Sequence, residues 1–438
     1  MRNANKMTFA ERLLPNPGKN VPYLDAIRGI AVLFVLTRHA WGLSGSPGFQ
    51  FGPVDFTRIV MMMSSGVDLF FVLSGVLLSG AFLRADADGR PAPNLREYLS
   101  ARILRIGPPY WVVLFLVVLL YTPHHIPTER VWSEWGAAIF VAHLFFAQTL
   151  FVFSFGAYGV GTPFWTLTIE MIFYLCLPFV VRAFYRGRWW QGVVFAVIAS
   201  LTWLYLCRYS LDGLVAFIGA HAFGLALPAE GIRFFLSHQI LGYLPHFAIG
   251  ISISAILQNK MRRGWTSETA GMVYFAVGVA IVIATMYVLG GLSLDRGYTD
   301  PTRYMREESK GALLYYFGES IPFAAGYGLM ILGAALAPQK LRDGLTRIPL
   351  LCLFGVLGYS IYLIHMPLLY TANDHWWIAA DTRPFWHFAK MMTLGGSVIV
   401  LLSFGLFYAI ERRSMIWASS RRKHPVPHAQ LSATETQG

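Results

Sequence analysis

Apolar runs of about 17 to 25 residues recur along this chain, and they leave it few ways to fold. A run of that length crosses a ~30 Å hydrocarbon layer as one helix. Within that layer every backbone polar group has to find its partner inside the protein, which favours helices. Charged residues make up 13% of the 438-residue sequence and hydrophobic residues 55%, whereas a soluble domain carries roughly 25% charge. The fold class expected is therefore all-α, a polytopic transmembrane bundle embedded in a lipid bilayer. The formal net charge of +12 is spread over the loops beside the apolar runs. That pattern fits positive-inside topology and gives no reason to expect a nucleic-acid partner. Cys176, Cys207 and Cys352 all sit inside apolar runs. They read as packing residues, with neither metal-ligand spacing nor a disulfide framework.

Hydropathy places spans at 24–43, 59–83, 109–122, 163–182, 190–208, 236–257, 270–289, 319–337, 349–371 and 387–410. Basic clusters occur at Arg2–Lys19, Arg84–Arg105, Arg182–Arg188, Lys260–Arg263, Lys340–Arg347 and Arg412–Lys423. Placing all of them on the cytoplasmic side gives ten spans with both termini inside. It also keeps the apolar stretches 137–153 and 211–227 from crossing. The outer 290–312 loop counts against this arrangement, because it carries Arg296, Arg303, Arg306 and Lys310. Residues 1–22 read as a cytoplasmic tail broken by prolines, 23–411 as the membrane domain, and 412–438 as a basic, disordered tail. The stretch 95–107 reads as a basic amphipathic helix on the inner surface, stopped by Pro108–Pro109.

The run 23–42 carries Arg28 near its start and His39 near its end. Ionisable groups at membrane depth are costly and mark functional sites. The eleven-residue separation puts both on one helix face, ~16 Å apart along the axis. Counting from the span ends, His39, Asp68, Glu170 and His365 all fall in the outer half of the membrane. Each of the four has a structural alternative as a group bonded to a neighbouring helix. Ser74 and Ser360 read as hydroxyls bonding a carbonyl one turn back. Glu170 beside His39 would hold the imidazole tautomer and raise its basicity, as general base catalysis requires. Arg28, Arg84, Arg102 and Arg105 form a cationic cytoplasmic rim suited to phosphate. A phosphate site at the surface and a base ~16 Å deeper ask for a long ligand, charged at one end and reactive at the other. An acyl-CoA thioester has that shape, and no metal is called for.

Seven motifs carry a resemblance. They are YLDAIRGIAVLFVLTRH, GVDLFFVLSGVLLS running on to Arg84, ARILRIGPPYW, FWTLTIEMIFY, LPHFAIG, GYSIYLIHMPLL and the closing YAIERR. With these the chain resembles the acyltransferase 3 family of integral membrane O-acyltransferases, over residues 23–411. The resemblance implies transfer of an acyl group, acetyl by default, from acyl-CoA to a hydroxyl of a glycan or glycolipid. It implies His39 and Glu170 as catalytic residues. It pairs Arg28 with His39 in the R-x10-H pattern, and the sequence reading as a whole takes Arg28, Arg84, Arg102, Arg105, Asp68, Trp165, Ser360 and His365 as the candidate substrate-binding residues. Thr166 stands where the family usually has Ser, and Ala101 where a second Arg is common. No hydrolase-like domain follows the last span, so handover of acyl groups to such a domain is expected to need another polypeptide. A covalent acyl-His39 step is compatible with the same residues. The alternative is a multi-span transporter of an anionic or acylated substrate, since membrane ionisable groups serve there too. Transporters often carry inverted repeats, and none is visible in the sequence.

Overall fold

The computed structural model describes residues 13–14, 21–125, 135–221, 228–263, 267–299, 309–375 and 383–420. Helices dominate these residues, and the one sheet is a two-residue antiparallel pair, Gln50–Phe51 with Val54–Asp55. Among them, eight helices are long and apolar enough to cross a membrane, or up to ten if each of two bent pairs counts as one span. This agrees with the ten spans expected. Among the described residues, the stretches 137–153 and 211–221 hold only the nine-residue helices Gly136–Leu144 and Asp212–Ala220, too short to cross at 1.5 Å per residue.

The first span, α1 (Pro22–Leu43), starts on a proline, whose missing N–H costs nothing at a helix N-terminus. Ser44 Oγ closes its other end by donating to the Ala40 carbonyl at 2.7 Å. α2 (Gly66–Ala87) runs beside it, followed by α3 (Leu95–His125), α4 (Trp165–Val180), α5 (Trp189–Tyr209), α6 (Leu244–Arg263), α7 (Glu268–Leu294) and α8 (Ser320–Leu336). α9 (Pro349–Val356) and α10 (Gly358–His375) follow, then a long apolar helix over 384–420 whose middle is α11 (Gly396–Leu406).

Small residues let these helices approach closely, as membrane packing favours. A Cβ added to Gly355 of α9 would lie 1.8 Å from the Asp25 carbonyl oxygen of α1, and one on Gly29 would lie 2.0 Å from the Leu351 carbonyl oxygen. α2 and α6 meet through Gly75 and Gly250 in the same way. The first contact brings the Arg28 end of α1 against the start of α10.

Three elements differ from the sequence reading. The amphipathic stretch 95–107 does not stop at Pro108–Pro109, because α3 runs unbroken from Leu95 to His125. The prolines remove two helical N–H donors, but in an apolar surround the rest of the backbone has no better partners than its own helix. The span expected at 349–371 is broken: α9 and α10 meet at 83°. The last helix continues as Arg412–Ser420, so the expected disordered tail does not begin at residue 412, and 421–438 lie outside the described residues.

Candidate active site

A cavity of about 940 Å³, counting its open mouth, lies between α1, α2, α3, α4 and the α9–α10 bend. Arg28, Arg102 and Arg105 line it from α1 and α3. Ser74, Thr166, Glu170 and Tyr174 line it from α2 and α4, and Tyr359, Tyr362 and Glu411 complete the polar wall. Apolar groups, among them Phe70, Leu77 and Ile106, fill the remainder. The site thus brings three arginines predicted from the sequence together with Glu170.

The charges are more balanced than a purely cationic rim. Arg28 donates to Asp25 Oδ1 at 2.5 Å, one turn back on α1, and Asp25 is buried. Glu411, also buried, accepts from Ser360 Oγ at 2.7 Å. It ends a π-helical turn, Phe407–Glu411. Such a turn inserts one extra residue per turn, and it is frequent at functional sites. Glu170 accepts from the Tyr174 hydroxyl and, at 3.2 Å, from Ser74 Oγ.

At the deep end of the cavity Phe70 and Tyr362 meet edge to face, with ring centroids 6.0 Å apart. The Tyr362 hydroxyl and Thr166 Oγ1 are 2.8 Å apart, and both reach the Pro163 carbonyl. Thr166 therefore keeps the hydroxyl function of the usual serine. One turn beyond Tyr362 on α10 is His365, fully buried. Its Nε2 is 3.1 Å from Nδ1 of His39, and its Nδ1 donates to the Tyr362 carbonyl at 2.8 Å. Two sequence-predicted histidines from opposite ends of the chain are thus in direct contact.

Other expected site residues lie elsewhere. Glu170 does not bond His39; its partners are on α2 and α4, whereas His39 faces α10. Depth along a helix does not fix the direction of a side chain, and here the two directions differ. Arg84 is exposed near the end of α2 and does not line the cavity. Asp68 approaches Nε2 of the fully buried His246 at 2.9 Å. The Trp165 ring packs against His238 and Tyr243, at 5.5 and 5.6 Å. Asp68 and Trp165 lie outside the cavity wall. Ser360 spends its hydroxyl on Glu411.

A family model described as an acyltransferase domain matches residues 21–411. The chain belongs to this acyltransferase family. Acyltransferase MdmB of Streptomyces mycarofaciens is 24% identical over 95% of this chain and 96% of its own length. Nodulation protein 10 of Rhizobium leguminosarum bv. viciae is 25% identical over 43% of this chain. Peptidoglycan O-acetyltransferase OatA of Listeria monocytogenes is 28% identical over 38% of it. The matches span 51% of Nodulation protein 10 and 25% of that OatA. No solved structure matches the chain.

Within this acyltransferase-family chain, sequence reasoning missed Asp25, Tyr174, Tyr359, Tyr362 and Glu411 as parts of the site. Glu411 carried a signal, since it is an acid directly following an apolar run. The adjacent Arg412 and Arg413 made it look like the start of the cytoplasmic tail. The tyrosines carried none, because aromatic residues are common throughout these spans.

Proposed function

We propose that this protein is an O-acyltransferase of the cell's inner membrane. It moves an acyl group, acetyl by default, from acyl-CoA to a hydroxyl of a glycan or glycolipid. The observation that carries this reading is the arrangement of the cavity: three arginines line it, and Tyr362 at its deep end adjoins the histidine pair. Guanidinium groups suit the phosphates of the nucleotide portion. The apolar wall suits the extended arm, and His39 waits for the thioester. The relatives support the acyl chemistry, since they include an acyltransferase and a peptidoglycan O-acetyltransferase.

In this mechanism His39 removes the proton of the acceptor hydroxyl as its oxygen attacks the thioester carbonyl. The C–S bond breaks, the thiolate leaves, and His39 returns the proton to it. Glu170 contributes from the cavity wall, where it fixes Ser74 and Tyr174 and offsets charge from Arg102 and Arg105. The test is acceptor-dependent CoA release by the purified protein in lipid nanodiscs, with His39→Ala alongside. Release by the natural protein and none by the variant supports the assignment. Full transfer by His39→Ala removes it, and vectorial uptake without acyl turnover would make the protein a transporter. Mass spectrometry of surface glycans and small metabolites from cells with and without the protein then identifies the acceptor and the acyl group.

A further inference from the structure

Hydrogen-bond logic at the two histidines goes one step beyond a basic His39. The Tyr362 carbonyl can only accept, so Nδ1 of His365 carries a proton. A neutral imidazole carries one proton, which leaves Nε2 of His365 as an acceptor. The atom facing it at 3.1 Å, Nδ1 of His39, is then the N–H donor. A neutral His39 protonated at Nδ1 has its lone pair on Nε2, and Nε2 has no side-chain partner among the described residues.

The doubly protonated alternative for His365 would bury a cation. Among the described residues no carboxylate bonds either ring, and Arg38, next to His39 in the chain, adds like charge.

We infer that His365 is a positioning residue that holds His39 in its Nδ1–H tautomer, so that Nε2 is the nitrogen presented to the acceptor hydroxyl. This rests on the reading of His39 as the base. In serine hydrolases a buried aspartate does this work; here a neutral imidazole anchored on a backbone carbonyl does it. When Nε2 of His39 takes the hydroxyl proton, the new imidazolium keeps its Nδ1–H bond to His365. That bond is now charge-assisted and stronger. The proton leaves from Nε2 to the departing thiolate, so His365 neither gains nor loses one.

The experiment is nitrogen NMR on the full chain, labelled with 15N-histidine and held in nanodiscs, with His39 signals assigned by their loss in His39→Ala. Proton-bearing and lone-pair nitrogens are expected at Nδ1 and Nε2, respectively. A His39 protonated at Nε2 overturns the inference, whatever the variants do. Two substitutions test the consequence. His365→Gln places an amide oxygen near the position of Nε2 and should keep kcat within about tenfold. His365→Leu lacks an acceptor and should lower kcat by about 100-fold with donor KM unchanged, in the range seen when orienting groups are lost. Equal losses in two monodisperse variants, or a loss confined to KM, also overturn it. Because the tautomer is read without turnover, an active His39→Ala would remove the base assignment while leaving the tautomer result standing.

Discussion

Ser360 and Glu411 are 51 residues apart in the chain, and their side chains meet at 2.7 Å. The bond ties the first turn of α10 to the π turn 407–411, and so fixes the wall of the cavity opposite Arg28 and Arg105. A hydrogen bond to a charged acceptor contributes roughly 1.5–3 kcal/mol, and orphaning a buried hydroxyl costs about 1–3 kcal/mol. Glu411→Gln keeps an acceptor for Ser360, and its melting temperature should stay near that of the natural protein. Glu411→Leu leaves Ser360 unpaired and should melt several degrees lower. Differential scanning fluorimetry in nanodiscs separates the two. Equal losses would mean that the charge of Glu411, rather than its bond, holds the wall.

Arg28 is the arginine whose role is easiest to isolate, because its ion pair with Asp25 is local to α1. If it binds donor phosphate equally in the ground and transition states, Arg28→Gln raises the donor KM by about 10- to 100-fold with little change in kcat. The double variant Arg28→Gln/Asp25→Asn also neutralises the buried carboxylate with which Arg28 pairs. It should recover the stability lost by the single variant but not its KM. A defect confined to kcat would take Arg28 out of the phosphate site.

The close contact of α1 and α9 sets the position of the Arg28 end of the cavity. Gly355→Ala would drive a methyl group into the Asp25 carbonyl, 1.8 Å from the new Cβ. Overpacking typically costs 1–3 kcal/mol, and the helices must separate to relieve it. The variant should melt lower and bind the donor more weakly, since Asp25 positions Arg28. Gly344→Ala is the control. Its Cβ would meet nothing within 4 Å, in the helix Gln339–Thr346. There alanine should be neutral or stabilising by up to about 1 kcal/mol. Equal melting temperatures for the two variants would show that the contact does not constrain the fold.

Much of this architecture was legible in the sequence because a bilayer demands long apolar helices. The spans follow from the length of the apolar runs, and the expectation that 137–153 and 211–227 do not cross comes from the placement of the basic clusters. The 83° bend between α9 and α10 was not legible. GVLG at 355–358 contains no proline, and the bend accompanies the close approach of Gly355 and Gly29 to neighbouring backbone, a tertiary contact. The Pro108–Pro109 pair misled in the opposite direction, because a strong local helix breaker was overruled by the surrounding packing. At the site, residue types and spacing identified His39, Glu170 and three of the four arginines as neighbours of one cavity or its deep end. They did not identify partners: His39 meets His365 and Glu170 meets Ser74, since neither helix sequence fixes the rotation of its neighbours.

Glu170 provides the sharpest contrast between the sequence reading and the geometry. Were it to orient His39 directly, Glu170→Gln should lower kcat by roughly 10²- to 10⁴-fold, the contribution of a well-placed base. In the structure Glu170 instead accepts from Tyr174 and Ser74, and Gln retains an oxygen that accepts from both. The expected loss is therefore small, about tenfold at most in kcat/KM, a span of ~1.4 kcal/mol. It arises from the missing charge opposite Arg102 and Arg105. Glu170→Leu should do more damage, because it strands the buried Tyr174 hydroxyl at about 1–3 kcal/mol, and Tyr174→Phe in the same chain should recover most of that stability. Steady-state CoA release and melting curves of the three variants decide the matter. A Glu170→Gln enzyme that folds normally but loses two or more orders of magnitude in kcat would place the carboxylate in direct service of His39.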